Sequence, residues 1–144
     1  MKHTDPPIIN EHTFNRPARD VWNALSVQKE MVQWFFDNIP AFEARVGFET
    51  RFAVQSENRT FTHCWKVLEA IPNQKLTYSW KYEEYPGDAT VTFELNERGN
   101  TTDLKLTLHV LEDFPDEIPE FKRESCIGGW DYFLRERLKE YLKE

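Results

Sequence analysis

The sequence is short of cysteine, of long apolar runs and of positive charge, and each shortage removes a class of function. Only Cys64 and Cys126 occur in 144 residues. They form no CxxC pair, and neither has a histidine at metal-ligand spacing. A disulfide framework and a zinc site are therefore not expected, and two buried, reduced thiols are. No stretch approaches the ~18 consecutive apolar residues of a membrane span. The opening Met1-Lys2-His3-Thr4-Asp5-Pro6-Pro7 lacks the apolar core of a secretory signal. A cytoplasmic location is expected. Acidic residues outnumber Lys and Arg 25 to 18, for a net charge of −7. That balance argues against nucleic acid, whose affinity comes largely from basic side chains releasing counterions, and against an anionic membrane surface.

Catalytic signatures are missing as well. There is no G-x-S-x-G elbow, no H-E-x-x-H, no phosphate-cradling glycine loop and no dinucleotide fingerprint. The expectation is no cofactor, no metal and no assigned catalytic residue. Without an internal repeat or a low-complexity linker, residues 1–144 read as one domain, a length that suits a single core.

Aromatic residues are plentiful, with 11 Phe, 5 Tyr and 5 Trp. Their flat apolar faces fill cores and also line pockets for organic ligands. The chain opens with a strand near Ile8–Asn15. Arg16-Pro17 then begins a helix running to about Val27, and a second short helix over Gln28–Phe36 ends at Asp37-Asn38 and Pro40. Strands are expected at Phe42–Gln55, Thr60–Ala70, Lys75–Tyr82, Val91–Leu95 and Leu104–Val110. Leu76, Tyr78, Trp80 and Tyr82 alternate with polar residues, as do Leu104, Leu106, Leu108 and Val110. Such period-two patterning buries one face of an antiparallel meander. An acidic, proline-bearing stretch from Glu112 to Glu120 reads as a solvated connection or as a hinge, with Phe114 closing one mouth of a cavity. A final helix over Pro119–Lys143 carries Ile127, Trp130, Leu134, Leu138 and Tyr141 as one apolar stripe, the natural cover for the sheet.

The segments FNRPARDVWNALS (Phe14–Ser26), KVLEAIPNQKLTYSW (Lys66–Trp80), TDLKLTLHV (Thr102–Val110) and GGWDYFLRERLKEYL (Gly128–Leu142) carry a resemblance, in this order, to the START-like (Bet v 1-like) superfamily. Within it the chain resembles the domain shared by activators of Hsp90 ATPase and many stand-alone bacterial proteins. The resemblance implies an α+β helix-grip fold. A curved antiparallel sheet of about six strands wraps a long C-terminal helix, with two short helices after the first strand. It also implies a cavity between sheet and helix.

The inward phase nominates Phe48, His63, Trp65, Tyr78, Trp80, Phe93 and Trp130 as cavity-lining residues, with Trp34 at the mouth. Each of these rings can equally serve as plain core. His63 is placed to bond Thr50 or Tyr78, and either orients a ligand atom, acts as a general base, or is a hydrogen-bonded core residue. Gly128-Gly129 is costly inside a helix, and close helix–strand packing or room for a ligand would account for it. The leading function is binding of a small hydrophobic or aromatic molecule, in a setting such as stress. The alternatives are a protein-interaction module resembling the Hsp90-activator domain, with a chaperone as partner, and a cyclase- or hydrolase-like enzyme using His63. A monomer or a homodimer is compatible with each.

Overall fold

The computed structural model describes residues 1–143. Six strands form one sheet in the order β1-β6-β5-β4-β3-β2, every pair antiparallel. They are β1 (Ile8–Phe14), β2 (Glu49–Ser56), β3 (Arg59–Ile71), β4 (Lys75–Tyr82), β5 (Asp88–Arg98) and β6 (Thr101–Glu112). After β1 come α1 (Ala18–Ser26) and α2 (Gln28–Trp34). A terminal rod follows β6. This is the α+β helix-grip arrangement. No helix among the described residues is long and apolar enough to cross a membrane.

Local chemistry sets the element ends. Pro17 precedes α1 with φ −66°, and the α1 N-terminus is finished from a distance, the Ala18 N–H donating to Glu97 Oε2 at 2.8 Å. Val27, extended at φ −97° and ψ 121°, separates α1 from α2. The strand expected from Phe42 begins only at Glu49, because Gly47 takes a φ of +93° and turns the chain just before it. Pairing with β3 is still initiated there, since Gly47 N–H donates to Val67 O and Val67 N–H to Phe48 O.

The inward faces of β3 to β6 are the alternating sets read from the sequence, and Val67, Leu76, Tyr78, Val91, Phe93, Leu104 and Leu106 are all buried. Fully burying one such side chain contributes roughly 1.5–3 kcal/mol. Leu76, Phe93 and Leu106 sit on one rung across β4, β5 and β6, so their burial is cooperative with strand pairing.

The terminal rod differs from the single helix expected over Pro119–Lys143. A short 3₁₀ turn at Pro119–Phe121 leads into α3 (Arg123–Asp131). A π-helical segment, Tyr132–Leu138, and a last α turn, α4 (Lys139–Tyr141), follow. Beyond Phe121, which is buried in the 3₁₀ turn, the buried residues are Trp130, Leu134, Leu138 and Leu142, whereas Ile127 and Tyr141 are 39% and 36% exposed. A strict four-residue repeat drifts by about 40° per step on an α-helix of 3.6 residues per turn. The wider i→i+5 turn of the π segment takes up that drift and keeps all four side chains on the sheet. Ile127 and Tyr141, placed on the stripe by α-helical spacing, are thereby turned outward.

Candidate functional site

The space between sheet and rod is nearly full. One cavity of about 40 Å³ remains there, lined by Met1, Trp80, Tyr82, Ala89, Leu108, Phe114, Cys126 and Trp130. That is room for about three waters. The volume expected to be empty is occupied by Phe35 and Phe36, which follow α2 directly. The Phe35 ring lies 5.6 Å from Trp65, 5.8 Å from Trp130 and 4.8 Å from Phe133, centroid to centroid. The Phe36 ring lies 4.9 Å from His63 and 5.2 Å from Phe52.

Of the eight nominated residues, Trp80 and Trp130 line the cavity. Trp34 does not stand at a mouth. It is fully buried, stacked on Phe35, with its Nε1–H donating to Ala24 O at 2.8 Å. Phe48 is only half-buried and packs edge-on against Phe42. Trp65, Tyr78 and Phe93 are core, joined by ring contacts of 4.7 Å and 6.0 Å through Tyr78. Tyr82, Ala89 and Leu108, which complete the lining, belong to the same inward phases and were legible as neighbours of Trp80 and Leu106. Met1 and Phe114 close one end, the Phe114 N–H donating to Met1 O at 2.9 Å. The Phe114 ring is seated on Gly87, where φ is +123° and a Cβ would lie 2.3 Å from the ring.

His63 is buried between Phe52, stacked at 5.0 Å, and Tyr82. Its partner is neither Thr50 nor Tyr78. Nδ1–H donates to the Phe61 carbonyl at 3.0 Å, which fixes the tautomer and leaves Nε2 as the lone-pair nitrogen. Burial pulls the imidazole down to about 4, outweighing the Phe61 hydrogen bond and the Glu84 charge. At neutral pH it is an uncharged acceptor and a weak base.

Next to it, Trp80 Nε1–H donates to Tyr82 Oη at 2.7 Å. The Tyr82 residue is half-exposed yet its hydroxyl is buried, and that burial pushes its pKa well up. Its own proton stays on and is free to donate. Cys126 behaves alike, half-exposed as a residue with its thiol turned inward, and burial pushes that thiol up to about 11. Both cysteines are free, but neither is wholly buried as expected. The cavity thus offers aromatic walls, one phenol hydroxyl and an un-ionised thiol. It suits an uncharged guest.

Gly128 and Gly129 contradict close helix–strand packing. Both are exposed, and a Cβ at either would meet nothing within 4 Å. In α3 the only buried side chain is Trp130. The acidic connection is more than a solvated loop, because Glu120 receives the Arg59 guanidinium at 2.9 and 3.2 Å and the Ser56 hydroxyl at 2.7 Å. That cluster ties the β2–β3 hairpin to the base of α3.

Residues 15–143 match the family described as activator of Hsp90 ATPase homolog 1-like protein. The chain belongs to that family. Solved structures of similar fold come from several bacteria. Protein CV1439 from Chromobacterium violaceum is 20% identical with a TM-score of 0.80, over 96% of this chain and 97% of that one. CalU16 from Micromonospora echinospora is 26% identical with a TM-score of 0.68, over 95% of this chain and 76% of that one. An Aha1 dimer from Colwellia psychrerythraea, determined in solution, is 20% identical with a TM-score of 0.73, over 96% of both chains. No curated protein matches the sequence.

Proposed function

We propose that the protein binds a small, uncharged, apolar or aromatic molecule beneath α3, in an enlarged form of the cavity at Trp80, Tyr82 and Trp130. One observation carries this reading: Trp130, the single buried side chain of α3, lines the same small cavity as the Trp80–Tyr82 hydrogen bond, so that moving this one ring opens the space around a polar pair. At about 40 Å³ the cavity excludes an organic guest as it stands, so binding requires Trp130 or Phe114 to give way. Their displacement costs packing, and the guest offsets it by its own burial. About 250 Å² of buried apolar surface yields roughly 6 kcal/mol before ordering costs. The test is native mass spectrometry of freshly purified protein, followed by titration with sterols, fatty acids and polyphenols while Trp fluorescence and melting temperature are recorded. Unchanged spectra and melting with every class would end the proposal.

The filled interior and the family membership favour a second reading, contact of the outer surface with an Hsp90-type chaperone. Co-purification that survives mild salt, and is lost on exchange of surface residues, is its expected signature.

A further inference from the structure

Residues 1–7 precede β1, and their first member closes one end of the cavity. Of the seven only Met1 is buried; it is 7% exposed, packs with the core and lines the cavity. Lys2, His3, Thr4, Pro6 and Pro7 are exposed. Pro6 and Pro7 carry no N–H for a ladder, and pairing of β1 with β6 starts after them, at Ile8 with Leu108. Met1 itself is wedged between two phenylalanines. Its carbonyl accepts from the Phe114 N–H at 2.9 Å, and its nitrogen donates to Phe121 O at 3.0 Å.

The rest of the segment is tied down at the surface, at two points. His3 meets Asp113 Oδ1 twice, through its backbone N–H and through Nδ1, each at 2.7 Å. The Arg123 guanidinium donates to the Pro6 and Pro7 carbonyls at 2.6 and 3.3 Å. Asp113 immediately precedes Phe114, and Arg123 opens α3, which carries Cys126 and Trp130. Between the ties Lys2 and Asp5 close a turn on each other, with Lys2 N–H on Asp5 Oδ2 at 2.9 Å and Asp5 N–H on Lys2 O at 3.0 Å. The segment is thus ordered while burying one side chain. Few buried apolar contacts and exposed hydrogen bonds are the conditions under which a segment opens without the rest of its domain. A methionine, unbranched and flexible, also leaves and re-enters a core with little strain. Trp130 is by contrast set among Phe35, Trp80 and Phe93.

We propose that residues 1–7 are a strap that gates the cavity. Its opening withdraws Met1, releases the Phe114 backbone and admits an uncharged molecule to Tyr82, Cys126 and Trp130 from the Met1–Phe114 end. Only the identity of what enters depends on the guest-binding reading; the gate itself is open to test without a ligand.

Cys126 serves as the reporter, because its thiol is turned into the cavity. The folded full chain is labelled with N-ethylmaleimide, and the rate at Cys126 is followed by peptide mass spectrometry. H3A/D113A, which leaves α3 unaltered, and R123A, at the other tie, should each speed labelling by about fivefold to tenfold, the rise in open population expected on losing a net hydrogen bond. The melting temperature should stay that of the parent, and the rate should barely rise in dilute urea, as for a local opening that exposes little surface. R135A removes a similar contact of guanidinium with carbonyl, from Arg135 to Glu11 O farther along the rod, and should leave Cys126 labelling unmoved. N-phenyl-1-naphthylamine, an uncharged fluorescent probe, is then mixed with each protein in stopped flow. Its association should quicken in the two strap variants and not in R135A. Faster Cys126 labelling without uptake of this probe upholds the gate and counts against guest binding alone. Labelling indifferent to both strap variants, equally fast in R135A, or rising steeply with urea would overturn the gate whatever the probe does.

Discussion

His63 offers the sharpest quantitative test of the packed interior. Its imidazole titrates near 6.5 when exposed, as in the unfolded chain, and near 4 in the fold. Between those values the unfolded state binds a proton that the native state refuses, so stability rises with pH across the interval. The contribution is fully present above about pH 6.5 and is lost as pH falls through about 4. At ~1.4 kcal/mol per unit, the separation amounts to about 3 kcal/mol. That is a large share of the ~5–15 kcal/mol that holds a domain together. Urea unfolding at half-unit steps from pH 4 to pH 8 measures it, with His63→Phe as reference. The phenyl ring preserves the stack on Phe52 and carries no titratable group. His12, also lowered by burial and by Arg135 and Lys139, titrates nearby and cancels in the difference between the two proteins. Asp103, held down to about 2 by hydrogen bonds from Arg98 and Thr13, loses its contribution between pH 3.8 and 2, below the window. The stability difference should therefore change by about 3 kcal/mol between pH 6.5 and pH 4. A difference that stays flat would refute the buried, neutral imidazole.

Trp130→Ala should cost about 3–5 kcal/mol by denaturation, and should enlarge the cavity toward the ~150 Å³ at which an apolar void admits a benzene-sized guest. Benzene should then raise the melting temperature of the variant and not of the parent. Gly129→Ala, and Gly128→Ala separately, should each stabilise by about 0.5–1 kcal/mol, because the added methyl meets open space and stiffens the helix. If ligand entry bends α3, both substitutions should also slow association in stopped-flow fluorescence. Gly87→Ala should destabilise by about 1–3 kcal/mol, since the new Cβ strains a positive φ and strikes Phe114. Phe114→Leu should recover part of that loss in the double variant, read by thermal melting.

Much of this architecture is written in period-two alternation. β5 and β6 bury Val91, Phe93, Leu104, Leu106 and Leu108 as their pattern demands, and His109, Glu49 and Arg51 face outward as their phase requires. The terminal rod was legible as an apolar stripe but not in its winding. Reading at 3.6 residues per turn admits Ile127 and Tyr141, and nothing local in Tyr132–Leu138 announces an i→i+5 turn. The register is chosen by the sheet, which takes Trp130, Leu134, Leu138 and Leu142 together.

The site was less legible than the fold for a different reason. Alternation tells which way a ring points and not what meets it there. The inward direction of His63, Trp65, Tyr78 and Trp80 could be read from their strands, but the arrival of Phe35 and Phe36 in the same space depends on how α2 ends, with Phe35 at φ −98° and ψ −131°. That one non-helical residue directs two phenyl rings into the grip and turns an expected hollow into a packed aromatic cluster. It also relocates the question of function. If the interior is to hold a guest, the residues that decide its size are the movable covers, Trp130 and Phe114, and not the strand residues that line the grip from below. Substituting Tyr78 or Phe93 should then lower stability with little effect on which ligand binds, whereas substituting Trp130 should change both.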